Sequence, residues 1–172
     1  MRIHIVHEFD VDIPTYEKLM FDPEFKKKTD KLPGLSRREV LRDEDDGVRY
    51  VTTHTKCHAS GALTDKVKRF VQGGDIYWID ETVYDRQTHI FTYVWKVPQF
   101  KEVRVKGVRK ITPSGAGRTR REIDGEIKVG VPLIGGLLEK VLSSQMEHNM
   151  NELAKVMQEF IREKRKSGEI EG

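Results

Sequence analysis

From Pro132 to about Lys164 the chain carries a single uninterrupted helical pattern, which limits the possible folds more than any other feature. The stretch VPLIGGLLEKVLSSQMEHNMNELAKVMQEFIREKRK has a proline at its mouth and no breaker after Gly136. Proline suits a first helical turn, where its missing N–H would have no intrahelical partner. Leu137, Leu138, Val141, Leu142, Met146, Met150, Leu153, Val156, Met157, Phe160 and Ile161 recur at helical spacing and form a broad apolar face. Winding at ~100° per residue puts Gln145 and Asn149 near the middle of that face. A helix this long draws its stability from packing, so the rest of the chain must supply an extended apolar surface.

The preceding sequence reads as that surface. Arg2–Val11 alternates, with Ile3, Ile5 and His7 on one side and His4, Val6 and Glu8 on the other, as in a strand. Asp12 is placed to cap a short helix over Pro14–Phe21, and Asp22-Pro23 restarts a second helix that runs to about Lys31. Leu32-Pro33-Gly34 ends it. From Leu35 the period changes to two, and strands are expected over Leu35–Asp43, Gly47–Cys57, Asp75–Asp85, His89–Val97, Glu102–Thr112 and Arg118–Val129. Short turn signals such as Asp45-Asp46-Gly47 and Pro113-Ser114-Gly115 separate them, which favours an antiparallel meander. Thr64–Val71 reads as a helical turn or an extended lid. The expected architecture is α+β: a seven-stranded curved antiparallel sheet wrapped around the long C-terminal helix, with two short helices after the first strand. Residues 1–164 form the expected single domain and 165–172 a polar, frayed tail.

Composition narrows the setting. With 172 residues, of which 34% are charged, and a mean hydropathy of −0.61, the chain reads as one soluble domain with a substantial core. It has no apolar run of membrane-spanning length and no signal-peptide pattern at MRIHIVHEFD. Its single cysteine cannot form an internal disulfide, so a cytoplasmic location is expected. Thirty-one basic side chains against 28 acidic ones leave a net charge of +3, too small to argue for nucleic acid.

The element order, together with HEFDVDIPTYEKLMFDPEF, VKRFVQGG followed by IYWIDETVYD, and VGVPLIGGLLEKVL, resembles the START-like superfamily. This is the helix-grip group of the birch-pollen allergens, polyketide cyclases and lipid-transfer domains, and the chain resembles a bacterial branch of it. The resemblance implies an apolar cavity between sheet and helix that takes a hydrophobic small molecule or lipid. Some members are enzymes, so fold alone does not settle function.

The candidate cavity residues follow from strand parity. Phe91, Tyr93 and Trp95 share a face assigned inward, as do Val103, Val105 and Ile111 on the next strand and Ile123, Ile127 and Val129 on the last. The strand around Ile76-Tyr77-Trp78-Ile79 is apolar on both faces, and its register stays open. Leu142, Gln145, Met146 and Asn149 face these strands from the helix. The two amides either bond backbone or water in a packed core or orient a ligand in an apolar pocket. Arg109 and Arg121 fall on the inner parity too. Either they reach solvent at strand ends or pair with Asp80 or Glu81, which is favoured, or they recognise an anionic head group.

Other constellations are weaker. His54, Cys57 and His58 spell H-x-x-C-H, but no second cluster completes a metal set, so no metal is assigned. Nothing indicates another cofactor. Glu81 on its apolar strand is a candidate buried acid without a partner. Lys26-Lys27-Lys28 and Arg162, Lys164, Arg165, Lys166 are basic clusters that could meet an anionic membrane surface. The favoured reading is non-catalytic binding of a hydrophobic or lipid-like molecule, with transport as one use of it. The alternatives are a cyclase or hydratase using Glu81, Tyr93 or Asn149, and a structural interaction domain whose pocket is filled.

Overall fold

The strands form one seven-stranded antiparallel sheet with the order β1-β7-β6-β5-β4-β3-β2. A computed structural model describes residues 1–32, 35–59, 76–133 and 135–171. The strands are β1 (Arg2–Phe9), β2 (Leu35–Asp45), β3 (Tyr50–Ala59), β4 (Tyr77–Asp85), β5 (Ile90–Lys96), β6 (Val103–Pro113) and β7 (Thr119–Val129). Helices α1 (Ile13–Met20) and α2 (Pro23–Thr29) follow β1, and α3 (Gly135–Lys166) ends the fold. β2 to β7 form the expected meander. β1 then pairs with β7, so α1 and α2 carry the chain from one edge of the sheet to the other. This is the anticipated helix-grip architecture. The expected element over Thr64–Val71 lies outside the described residues.

Local chemistry sets the short helices. The Asp12 carboxylate accepts from the Thr15 N–H (2.9 Å) and Asp22 from the Glu24 N–H (2.7 Å), each with proline in the first turn behind it. The start of α3 departs from expectation. Leu133 adopts φ 67°, which a right-handed helix cannot contain, so Pro132 sits in the preceding turn and α3 begins at Gly135. Its other end continues to Lys166 and closes through Gly168 (φ 75°), whose N–H returns to the Arg165 carbonyl. Lys164 then reaches Glu24 (3.0 Å) and Glu169 (2.8 Å), while Ile170 packs on the core.

The buried face of α3 comprises Leu138, Met146, Asn149, Ala154, Met157, Phe160 and Ile161, whereas Leu137 is exposed. It divides the interior into two apolar clusters. One gathers Ile3, Ile5, Trp78, Tyr93, Val105, Ile123 and Ile127 around Leu138 and Met146. The other gathers Phe9, Tyr16, Leu19, Phe25, Tyr84 and Phe91 around Met157, Phe160 and Ile161. Each fully buried side chain of this size stabilises the fold by about 1.5–3 kcal/mol.

Tyr93 has a particular structural role. Gly107 and Gly125 are direct cross-strand partners, and the Tyr93 ring lies against both. A Cβ at either position would run into its hydroxyl, so the glycines leave the room the ring occupies.

Candidate functional site

Between the sheet and α3 the packing leaves two hollows. The larger, about 240 Å³, is bounded by Tyr16, Met20, Phe21 and Phe25 at the short helices. Thr55, Cys57, Trp78, Asp80, Thr82, Phe91, Trp95, Arg109 and Arg121 bound it on the sheet, and Met146, Asn149, Leu153 and Met157 on α3. The smaller, about 50 Å³, lies among Ile76, Val97, Phe100, Val103, Val105, Leu138, Leu142 and Gln145. Trp78, Trp95, Met146 and Asn149 border both. The two tryptophans stack with ring centroids 5.2 Å apart, which makes an aromatic partition.

Strand parity explains the lining. On β5 and β6 the odd-numbered residues point inward, as expected, which delivers Phe91, Trp95, Val103, Val105 and Arg109. On β4 the even-numbered residues Trp78, Asp80, Thr82 and Tyr84 point inward, which resolves the open register. Ten of the twelve residues singled out from sequence border one hollow or the other. Tyr93 and Ile123 do not: Tyr93 covers the glycine pair, and Ile123 is fully buried in the core.

The two arginines correct an expectation. Arg121 does not reach solvent, and among the described residues neither arginine forms an ion pair with Asp80 or Glu81. Glu81 faces outward and pairs with Lys96 at 2.6 Å, so it is not a buried acid. Arg121 is 2% exposed. Its Nη1 donates to the Tyr16 hydroxyl (3.3 Å), and its Nη2 donates to the Met150 carbonyl (3.3 Å) and to His7 Nδ1 (3.1 Å). His7 Nε2 in turn donates to Asn151 Oδ1 (2.8 Å), which leaves Nδ1 as the acceptor of a neutral ring. Burial and the adjacent Arg121 charge push the His7 pKa below its ordinary value, in agreement with that tautomer.

Arg109 is in a different state. Its guanidinium lies over the Phe91 ring, 5.1 Å from the centroid, and it forms no hydrogen bond or ion pair among the described residues. Its Nε is buried without a partner. Burial, then repulsion from Arg121, pull its pKa down. Asp80 is also deep, and burial raises its carboxyl pKa, while Arg109, Thr82, Arg38 and Trp95 act in the opposite direction. Arg109 and Asp80 both keep some accessible surface and border the hollow. Thr82 donates its hydroxyl to Asp80 at 3.1 Å.

Gln145 donates its side-chain N–H to Asn149 Oδ1 at 2.9 Å, so the amides bond to each other one turn apart at the wall between the hollows. Cys57 faces the larger hollow, and burial lifts its thiol to about 11. Strand alternation puts His54 and His58 on the opposite face, where His58 contacts Glu39 at 3.1 Å. The H-x-x-C-H run therefore cannot close on one ion. Among the described residues, His4, Glu122 and Asp124 come close enough to share a cation, but they form an exposed cross-strand ion-pair group on the outer face. Lys26, Lys28 and Lys164 are engaged by Asp43, Glu163 and Glu24.

Comparison with known proteins fits this description. No curated protein matches the sequence. Among solved structures, the Zhui aromatase/cyclase from Streptomyces superposes with TM-score 0.64 at 15% identity, covering 96% of this chain and 94% of that one. Norcoclaurine synthase from Thalictrum flavum gives 0.65 at 12% identity, with coverage of 95% and 87%. A START superfamily protein from Mycobacterium smegmatis gives 0.60 at 16% identity, with coverage of 94% and 97%. These likenesses establish the helix-grip fold. At family level, the group described as Protein of unknown function (DUF2505) matches residues 4–161, and the chain belongs to it.

Proposed function

We propose that this DUF2505 protein binds a hydrophobic small molecule between its curved sheet and α3. The observation that carries the reading is the hollow of about 240 Å³ walled by Phe21, Phe25, Trp78, Phe91, Trp95 and Met157. Protein interiors are close-packed, with few voids larger than a water molecule, so a space of this size between two formed apolar clusters calls for an occupant. Burial of apolar ligand surface drives affinity at about 25 cal/mol per Å², and a few polar groups set orientation. Asn149, Arg109, Arg121 and Asp80 are the groups placed for that purpose, and the other lining residues supply apolar area. The volume suits a compact ring system or a short chain better than a long-chain lipid. Ligand-binding relatives on this fold, and a cytoplasmic setting for a chain with one buried thiol, are in keeping with it. Contact of the two basic clusters with an anionic membrane surface is a secondary part of the reading, weakened where Lys26, Lys28 and Lys164 are engaged in ion pairs.

The test is titration with a fluorescent apolar probe, with wild type compared to Asn149→Phe and Met157→Trp, which fill the hollow. Saturable binding that both variants abolish, without loss of fold, supports the proposal. Binding that survives both refutes it.

One observation favours a second, catalytic reading. Asp80 is a carboxylic acid with a raised pKa facing the hollow, the property a general acid needs, and two of the solved relatives named above are enzymes. Turnover of an aromatic-cyclisation substrate that Asp80→Asn abolishes while binding persists would select it.

A further inference from the structure

We infer that the molecule held in the larger hollow is a small carboxylic acid with a ring or short chain, and that Arg109 binds its carboxylate. This rests on the hydrophobic-binding reading above and adds a charge and an orientation to it.

The inference starts from the contrast between two arginines facing the same space. Arg121 has both Nη groups on Tyr16, His7 and the Met150 carbonyl, which fixes it in the wall although its Nε, like that of Arg109, has no partner. Arg109, which is half-buried and faces the hollow, has none of its donors satisfied by the described residues. A buried guanidinium without hydrogen bonds or a counter-charge is among the most costly groups a fold can hold. Parity on β6 requires an inward residue here, yet Val105 and Ile111 on either side show that an apolar one would serve. The side chain is preorganised as well, because the Phe91 ring under its guanidinium limits the ways it can lie. What is missing is a planar acceptor pair, which the fork of an arginine matches in a carboxylate.

Charge balance narrows the class to an anion. Arg109 and Arg121 contribute two positive charges to the hollow, and Asp80 is the one carboxyl among its described lining residues. Arg38 and Lys26 also border the space, but their charges are shared with Asp30 at 3.6 Å and Asp43 at 2.8 Å. His7 stays neutral beside Arg121. The space carries an excess of positive charge, and the planar acceptor pair that Arg109 lacks is that of a carboxylate. Beyond the carboxylate position, Trp78, Trp95 and Phe91 offer aromatic faces to a ring.

The experiment is calorimetric titration of the full chain at neutral pH and low salt with four ligands of one shape: naphthoate, naphthylmethanol, naphthylmethylamine and naphthyl phosphate. Naphthoate is expected to bind about tenfold or more tighter than the alcohol, the scale of one charge-assisted hydrogen bond. The amine should bind most weakly, and the phosphate no better than the carboxylate. Arg109→Met should remove the preference for the acid and leave alcohol binding intact, which also shows that the variant is folded. Arg109→Lys keeps the charge without the fork and should retain only part of the preference. Equal affinity for acid and alcohol in the wild type overturns the inference and leaves hydrophobic binding standing. An acid preference undiminished in Arg109→Met, or tighter phosphate binding, also overturns it. Failure of every ligand, the alcohol included, sinks both readings.

Discussion

Replacing Arg109 by methionine should make the unliganded protein more stable, whereas the same change at Arg121 should make it less stable. The two positions sit on neighbouring strands, facing the same hollow, with Arg121 fully buried and Arg109 half-buried. At Arg109 the substitution removes a charge that has no hydrogen bond or ion pair and puts a flexible apolar chain over Phe91. Exchanging buried charge for well-packed hydrophobic volume typically stabilises by about 1–4 kcal/mol. We expect the lower half of that range, about 1–2 kcal/mol, because the attraction of Arg109 for Asp80 is lost as well. At Arg121 the substitution strands the Tyr16 hydroxyl, His7 Nδ1 and the Met150 carbonyl. Each unsatisfied buried group costs about 1–3 kcal/mol, offset in part by removal of a buried charge, which leaves a net loss of about 1–3 kcal/mol. In a chain of this length each kcal/mol moves the midpoint by about 2–4 °C. Scanning calorimetry and urea unfolding of the two variants beside the wild type give the comparison. Midpoint shifts of the same sign would refute the distinction between an occupied and an unoccupied guanidinium.

Other expectations follow from single sites. Tyr93→Phe deletes a buried hydroxyl that has no hydrogen-bond partner, and should raise stability by about 1 kcal/mol in urea unfolding; a loss of that size would mean the hydroxyl is satisfied. Gly107→Ala drives a methyl into the Tyr93 ring and the Asp124 carbonyl, and should cost about 1–3 kcal/mol, so an unchanged midpoint would show that the sheet relaxes freely there. Cys57, its thiol held at about 11 by burial, should react with iodoacetamide at pH 7.5 only at the rate of unfolding; rapid labelling of the folded protein would contradict its placement. Asp45, which accepts from Arg86 and the Gly47 N–H, has its pKa lowered to about 2. Its contribution to stability is then present above the ordinary carboxylate range and lost as pH falls from there toward about 2. A midpoint near 4 in its side-chain carbon shift would exclude that Arg86 contact in solution.

The sequence is most legible where one face of an element is wet and the other dry. Alternation on β5, β6 and β7 identifies the inner residues before any strand is paired, and the helical winding of α3 places Gln145 and Asn149 at its centre. β4 resists the same reading because Tyr77 and Ile79 are apolar and still face outward. Tyr77 covers His58 and lies under Lys56, so its exposed ring is used. Without that register Glu81 looked like the buried acid, when the inward carboxylate is Asp80. Pro132 misled in the other direction: it marks a helix entrance, but the left-handed Leu133 beside it delays the helix to Gly135.

The sequence by itself determined the element order, the antiparallel meander, the inner face of three strands and the amide pair on the helix, because periodicity is a property of consecutive residues. Only the tertiary structure decided what each inner residue meets. Arg109 and Arg121 share one parity and one residue type, yet one is tied to Tyr16, His7 and a helix carbonyl while the other points unpartnered into a hollow. Those partners come from β1, α1 and α3, separated along the chain by as many as 114 residues. The burial that shifts Asp80, His7 and Cys57 arises the same way, from elements that meet only when the sheet closes on the helix.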